Sequence, residues 1–152
     1  MKWKEEFLNS KKFRRQFFFY FYFAMVLFRT FLCRTIWINP LSNVIGVWGI
    51  YKADGTLYTE NIENFILFVP FTILSVLIWT IKNSKQSFTF AHIIWGVLIF
   101  SFFISLSIEF LQLLFKVGTW QLFDLFFNTL GGLIGGIIYW VAYKLKHRKD
   151  KL

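Results

Sequence analysis

The chain of 152 residues has one cysteine, two histidines, two prolines and eight acidic residues. Cys33 has no second thiol to pair with, which rules out an internal disulfide, and no histidine near it in sequence to act as its base. His92 opens an apolar run and His147 sits in a basic tail. Neither is spaced from cysteine or carboxylates as a metal ligand would be, and no Ser-His pair stands out. No metal and no cofactor is expected, and thiol or triad chemistry has no residues to run on. Repeats, low-complexity tails and a second domain are also missing.

Charge is scarce as well: 16% of residues are charged, against about 25% in a soluble domain. The chain is apolar instead, with 57% hydrophobic and 23% aromatic residues, twenty-two Phe, seven Trp and a mean hydropathy of +0.54. An aqueous core of this size does not hide so much aromatic surface, so the chain reads as an integral membrane protein. The net charge of +9 would suit nucleic acid. The basic residues flank apolar spans rather than gathering on a soluble face, so no nucleic-acid partner is expected. The basic start and the apolar run from Phe17 are interrupted by Arg29 and Arg34 and lead to no small-x-small cleavage site. That stretch reads as a retained membrane helix, not a signal peptide.

Four segments have the roughly 20 mostly apolar residues that a span needs: about 17–38, 64–81, 91–115 and 123–144. They predict an all-α membrane protein, a four-transmembrane-helix bundle whose membrane domain covers 17–144. A basic segment, 1–16, precedes it and a basic tail, 145–152, follows. An outer loop, 39–63, carries Pro40, Gly46, Gly49 and "ADGT". Its "NPLSNVIGVWGIY" is apolar enough to lie on the membrane or dip into it as a lid. Lys and Arg crowd the first 15 residues, the 82–87 loop and the tail, while the other side has only Lys52 and Lys116. Both termini are therefore expected in the cytoplasm. Trp37, Trp48 and Trp120 then fall near the outer surface, and Trp79, Trp95 and Trp140 nearer the inner one.

Four ionisable residues stand within these spans or at their ends: Arg29, Arg34, Glu109 and Asp124. A charge at the bilayer centre costs at least about 2.5–3.5 kcal/mol, so such groups face the bundle interior and pair. Two cations and two anions permit mutual neutralisation. Glu109 falls roughly 9 Å below the outer end of the third helix at 1.5 Å per residue. Asp124 and Asn128 lie in the first turns of the fourth helix, Arg34 near the outer end of the first, and Asn64 at the outer start of the second, with Pro70 following. Arg29 is nearer mid-depth.

Ser101, Ser105, Glu109 and Gln112 share one helical stripe. Asp124, Asn128, Gly131 or Gly132, and Gly135 or Gly136 form another, and the short 116–120 turn lets the two stripes meet. "GGLIGG" contains two overlapping small-xxx-small patterns, Gly131/Gly135 and Gly132/Gly136, read as helix-packing positions.

The run "SIEFLQLLFKVGTWQLFDLFFNTLGGLIGG" has Glu, Gln three later, a short turn, Asp, Asn four later and then glycines. In this it resembles the C-terminal signature of the VanZ-like family. "INPLSNVIG" (38–46) and "ENFILFVPF" (63–71) resemble the family's Asn-Pro segment and second-helix start. The chain departs from the pattern at Gln121 and Phe123, where acidic residues are often seen, and in lacking an arginine in the third turn. The resemblance implies a small multi-pass protein of the bacterial cell (plasma) membrane. The family takes its name from a member associated with resistance to the glycopeptide teicoplanin.

These readings predict an outward-facing polar pocket within the membrane, lined by Arg29, Arg34, Asn64, Glu109, Gln112, Asp124 and Asn128. Its expected ligand is a membrane lipid, a cell-envelope precursor or an amphiphilic antibiotic such as a lipoglycopeptide, with an influence on glycopeptide susceptibility. Two alternatives use the same residues. Glu109 and Asp124 would be the catalytic acid and base of a membrane-embedded enzyme acting on an envelope lipid. Or one carboxylate would relay protons in a small transporter, which four short helices would build only as a homo-oligomer. A purely structural role, holding helices three and four together, is the remaining reading.

Overall fold

The computed structural model describes residues 10–33, 51, 55–57, 59–82, 88–118 and 120–149. Every regular element among them is helical, and one isolated bridge joins Tyr51 to Leu57. Helix α1 (Lys11–Leu27) continues into a π-helical turn, Phe28–Leu32. Helices α2 (Thr59–Lys82), α3 (Phe90–Phe115) and α4 (Leu122–Lys149) follow. Among the described residues three helices are long and apolar enough to cross a membrane: Thr59–Thr80, Phe90–Phe115 and Leu122–Lys146. The N-terminal helix is shorter, with 17 residues before the π turn.

The helices run beyond the apolar segments. Ser10 caps α1, its hydroxyl accepting the Phe13 N–H at 3.0 Å, so the basic stretch is already helical from Lys11. α2 begins at Thr59 rather than at Asn64, which puts Glu60, Asn61 and Glu63 on a helix instead of in the outer loop. The cause is local: Glu60 in the first turn suits the helix dipole, and Ile62, Ile66 and Val69 keep the helical period going. Arg34 and residues 35–50 of the expected first span and outer loop lie outside the described residues.

The α3–α4 connection is tight. Lys116 takes the left-handed conformation (φ 54°), Val117 N–H reaches back to the Gln112 carbonyl at 3.0 Å, and Gly118 turns the chain at φ 69°. α4 packs most extensively on α2 and then on α3, while α1 lies on α2. The glycines explain why α4 is central. A methyl group on Gly131 or Gly135 would run into the Phe65 or Val69 backbone carbonyl of α2, and one on Gly132 or Gly136 into Ser101 or Val97 of α3. The two overlapping patterns thus serve two neighbours, one on each side of α4. The pairings also fix direction: residue numbers rise together along α2 and α4 and run opposite along α3.

α1 runs antiparallel to α2. Phe19 stacks on Phe71, Tyr22 O–H donates to the Leu67 carbonyl at 2.9 Å, and Arg29 pairs with Glu63. The Tyr22 bond falls beside Pro70, whose missing N–H interrupts the α2 ladder.

Two apolar layers fill the bundle. Val26, Phe68, Phe71 and Ile108 form one, with Phe19 and Phe23 against them. Val76, Ile93, Val97 and Tyr139 form the other, toward the α2 C-terminus.

Candidate functional site

At the α3–α4 turn the interior changes character. Thr30 from the π turn, Asn61 and Asn64 from α2, Ser105, Glu109 and Gln112 from α3, and Gln121, Asp124 and Asn128 at the start of α4 are all buried. Each reaches this end for a readable reason. On α3 the buried positions Ile93, Val97, Ser101, Ser105, Ile108, Glu109 and Gln112 follow the helical repeat, so one stripe passes from apolar to polar. On α2, Asn61, Asn64, Phe68 and Thr72 do the same in reverse.

Three hydrogen bonds tie the cluster together. Glu109 Oε2 accepts the Gln121 backbone N–H at 3.1 Å, closing the hairpin. Asn128 Nδ2 donates to Ser105 Oγ at 2.8 Å across α3 and α4. Gln112 Nε2 donates to the Thr30 carbonyl at 2.9 Å, the link to α1. One layer deeper, Thr72 and Ser101 hydroxyls lie 3.3 Å apart. The amide oxygens of Gln112, Gln121 and Asn128 are buried and take no hydrogen bond from the protein. Glu109 is 3% exposed and Asp124 1%, so both carboxyls sit in the dry interior.

Of the residues expected to line the site, Glu109, Gln112, Asp124 and Asn128 come together here, and Asn64 is buried on α2 at the same end. Arg29 does not neutralise Glu109 or Asp124. It pairs with Glu63, with both side chains nearly half exposed, because α2 starts early enough to bring that carboxylate opposite it. Arg29 and Glu63 instead edge a cleft of about 400 Å³ between α1 and α2, backed by Thr30 and Asn64. Gly131, Gly132, Gly135 and Gly136 are packing positions, and Gly132 touches the polar end through Ser101.

Sequence reasoning does not single out Thr30, Asn61 or Glu63. The three-residue step from Asn61 to Asn64, in phase with Phe68, is the available signal for the first part of α2. Nothing in the sequence announces a π turn at Thr30. Among the described residues no group of three His, Cys, Asp or Glu gathers as metal ligands.

The chain is similar to known proteins over nearly its whole length. Residues 7–143 match the VanZ/LLP1 family. Protein VanZ of Enterococcus faecium is 24% identical over 134 residues, covering 81% of this chain and 77% of that protein. No solved structure matches. The match takes in the Glu109–Gln112–Asp124–Asn128 cluster, the glycine pairs and the helices that hold them, and on that match the chain belongs to the VanZ/LLP1 family.

Proposed function

We propose that the chain is a four-pass protein of a bacterial plasma membrane, with 1–16 and 145–152 in the cytoplasm and the α3–α4 turn outside. In this reading the polar end holds the headgroup of a cell-envelope lipid, an envelope precursor or an amphiphilic antibiotic such as a lipoglycopeptide, and so modulates glycopeptide susceptibility. Glu109, Gln112, Asp124 and Asn128 are the residues in contact with it.

The observation that carries this reading is the set of buried acceptors at one end. Interhelical hydrogen bonds in membranes average about 0.6 kcal/mol, so the three bonds of the cluster contribute about 2 kcal/mol. Each buried acceptor left without a donor costs about 1–3 kcal/mol. Three such amide oxygens outweigh the bonds, and two buried carboxyls add to the imbalance. As a device for holding helices together the cluster is a net loss. As a receptor for a donor-rich headgroup it is favourable, because hydroxyls, amides and ammonium groups supply the missing donors. Envelope precursors and lipoglycopeptides are rich in them.

Glu109→Gln and Asp124→Asn test it. The amide introduced by Glu109→Gln keeps an oxygen for the Gln121 N–H, so each variant is expected to accumulate as folded protein and to lose the effect on glycopeptide or lipopeptide susceptibility. Parallel loss of folded yield and effect would leave only a packing role. The orientation is checked separately. In a Cys33→Ser background, the thiol of Lys116→Cys is expected to react with an impermeant maleimide on intact cells; reaction only after lysis places the turn inside and removes the proposed site.

A further inference from the structure

The cleft between α1 and α2 has no part in the cluster just described, yet it has the form of an amphiphile's seat. Its volume, about 400 Å³, lies within the range of small-ligand sites. Along one stretch its walls are apolar: Met25 and Ile66 are about half exposed, and Leu67 and Tyr22 form the floor. At the other stretch stand Arg29 and Glu63, ion-paired across the gap and each more than 40% exposed on its side chain. Arg29 sits on the π-helical turn, a backbone irregularity that concentrates at functional sites.

We infer that this cleft binds a zwitterionic lipid carrying a primary ammonium and a phosphate, of the phosphatidylethanolamine type, with one acyl chain along Met25, Ile66 and Leu67. The charges select for it. An anionic headgroup meets the Glu63 carboxylate, and a cationic one meets the Arg29 guanidinium. A zwitterion offers its phosphate to the guanidinium fork and its ammonium to the carboxylate, replacing one ion pair by two charge-assisted contacts. A quaternary ammonium has no N–H to donate, so the primary amine is preferred. Thr30 at the back of the cleft receives Gln112 through its carbonyl, so occupancy is felt in the buried cluster. The inference shares with the proposed function the reading that this end of the bundle meets lipid headgroups.

The test is native mass spectrometry of the full chain in detergent, with phosphatidylethanolamine, phosphatidylcholine and phosphatidylglycerol of identical chains as probes. Charged hydrogen bonds of about 1.5–3 kcal/mol predict that phosphatidylethanolamine is retained about tenfold over the other two. Arg29→Gln and Glu63→Gln are each expected to erase that preference, and Met25→Trp to lower retention of all three lipids by filling the apolar stretch. Thermal midpoints of the variants show whether each remains folded. Equal retention of the three lipids by the unaltered chain overturns the proposal. So does a preference that survives both Arg29→Gln and Met25→Trp. Glu109→Gln separates the two sites: a preference lost there but kept in Arg29→Gln places recognition in the buried cluster and ends the cleft proposal, while the opposite pattern supports the cleft and counts against the cluster.

Discussion

The two ends of this bundle are built on different rules. Toward the α2 C-terminus, Val76, Ile93, Val97 and Tyr139 pack with Phe88, Trp140 and Tyr143, and the Tyr139 hydroxyl has a partner in Thr80 at 3.1 Å. An apolar cleft of about 500 Å³ there is edged by Trp79, Phe100 and Gly96. Toward the α3–α4 turn, the same helices bury carboxyls and amides, three of them with unanswered oxygens, and the neighbouring cleft has an ion pair at its edge. The first end is accounted for by packing. The second is not, and what a structure does not need for its own stability is where a ligand is sought.

The largest effect should come where both ends depend on one backbone approach. Gly135→Leu forces a side chain against the Val69 carbonyl, which belongs to a helix and cannot step aside. Folded protein is expected to be lost, as read by fluorescence-detected size exclusion; normal accumulation would mean that α2 and α4 do not pack as described.

Phe71→Ala comes next. Phe71 is 1% exposed and stacks with Phe19, Phe23 and Phe100, so its removal should cost about 3 kcal/mol. Any effect on antibiotic susceptibility should fall only in proportion to protein lost, which a dose series at matched expression would show.

The smallest effect is also the sharpest contrast. Tyr139→Phe and Asn128→Leu each remove one interhelical hydrogen bond, and each should change stability by less than about 1 kcal/mol. Only Asn128→Leu should abolish function. Equal behaviour of the two in a susceptibility assay would erase the distinction between the ends.

Much of this arrangement is legible from spacing alone. The stripe of Ser101, Ser105, Glu109 and Gln112 follows from a period of 3.6, and all four are buried. The glycine pairs can be read as close-approach positions, but which neighbour each pair meets depends on three helices at once, so Gly131/Gly135 facing α2 and Gly132/Gly136 facing α3 had to be seen. Helix starts escape the sequence for a physical reason. Hydropathy marks where apolar residues begin, whereas helical hydrogen bonding continues into polar sequence, as at Ser10–Lys12 and Thr59–Glu63. That difference hides the partner of Arg29, since hydropathy leaves Glu63 in the outer loop. The π turn has no sequence signature, so the inward placement of Thr30 is not legible either.

α4 is clasped on both flanks, by carbonyls of α2 on one side and by side chains of α3 on the other. A rod gripped in this way cannot roll about its own axis without steric collision. Mechanical compliance is therefore left to α1, which leans mainly on α2 and is tethered at its far end by the Arg29–Glu63 pair and the Gln112–Thr30 bond. Releasing those two tethers would free a hinged arm beside a rigid three-helix frame.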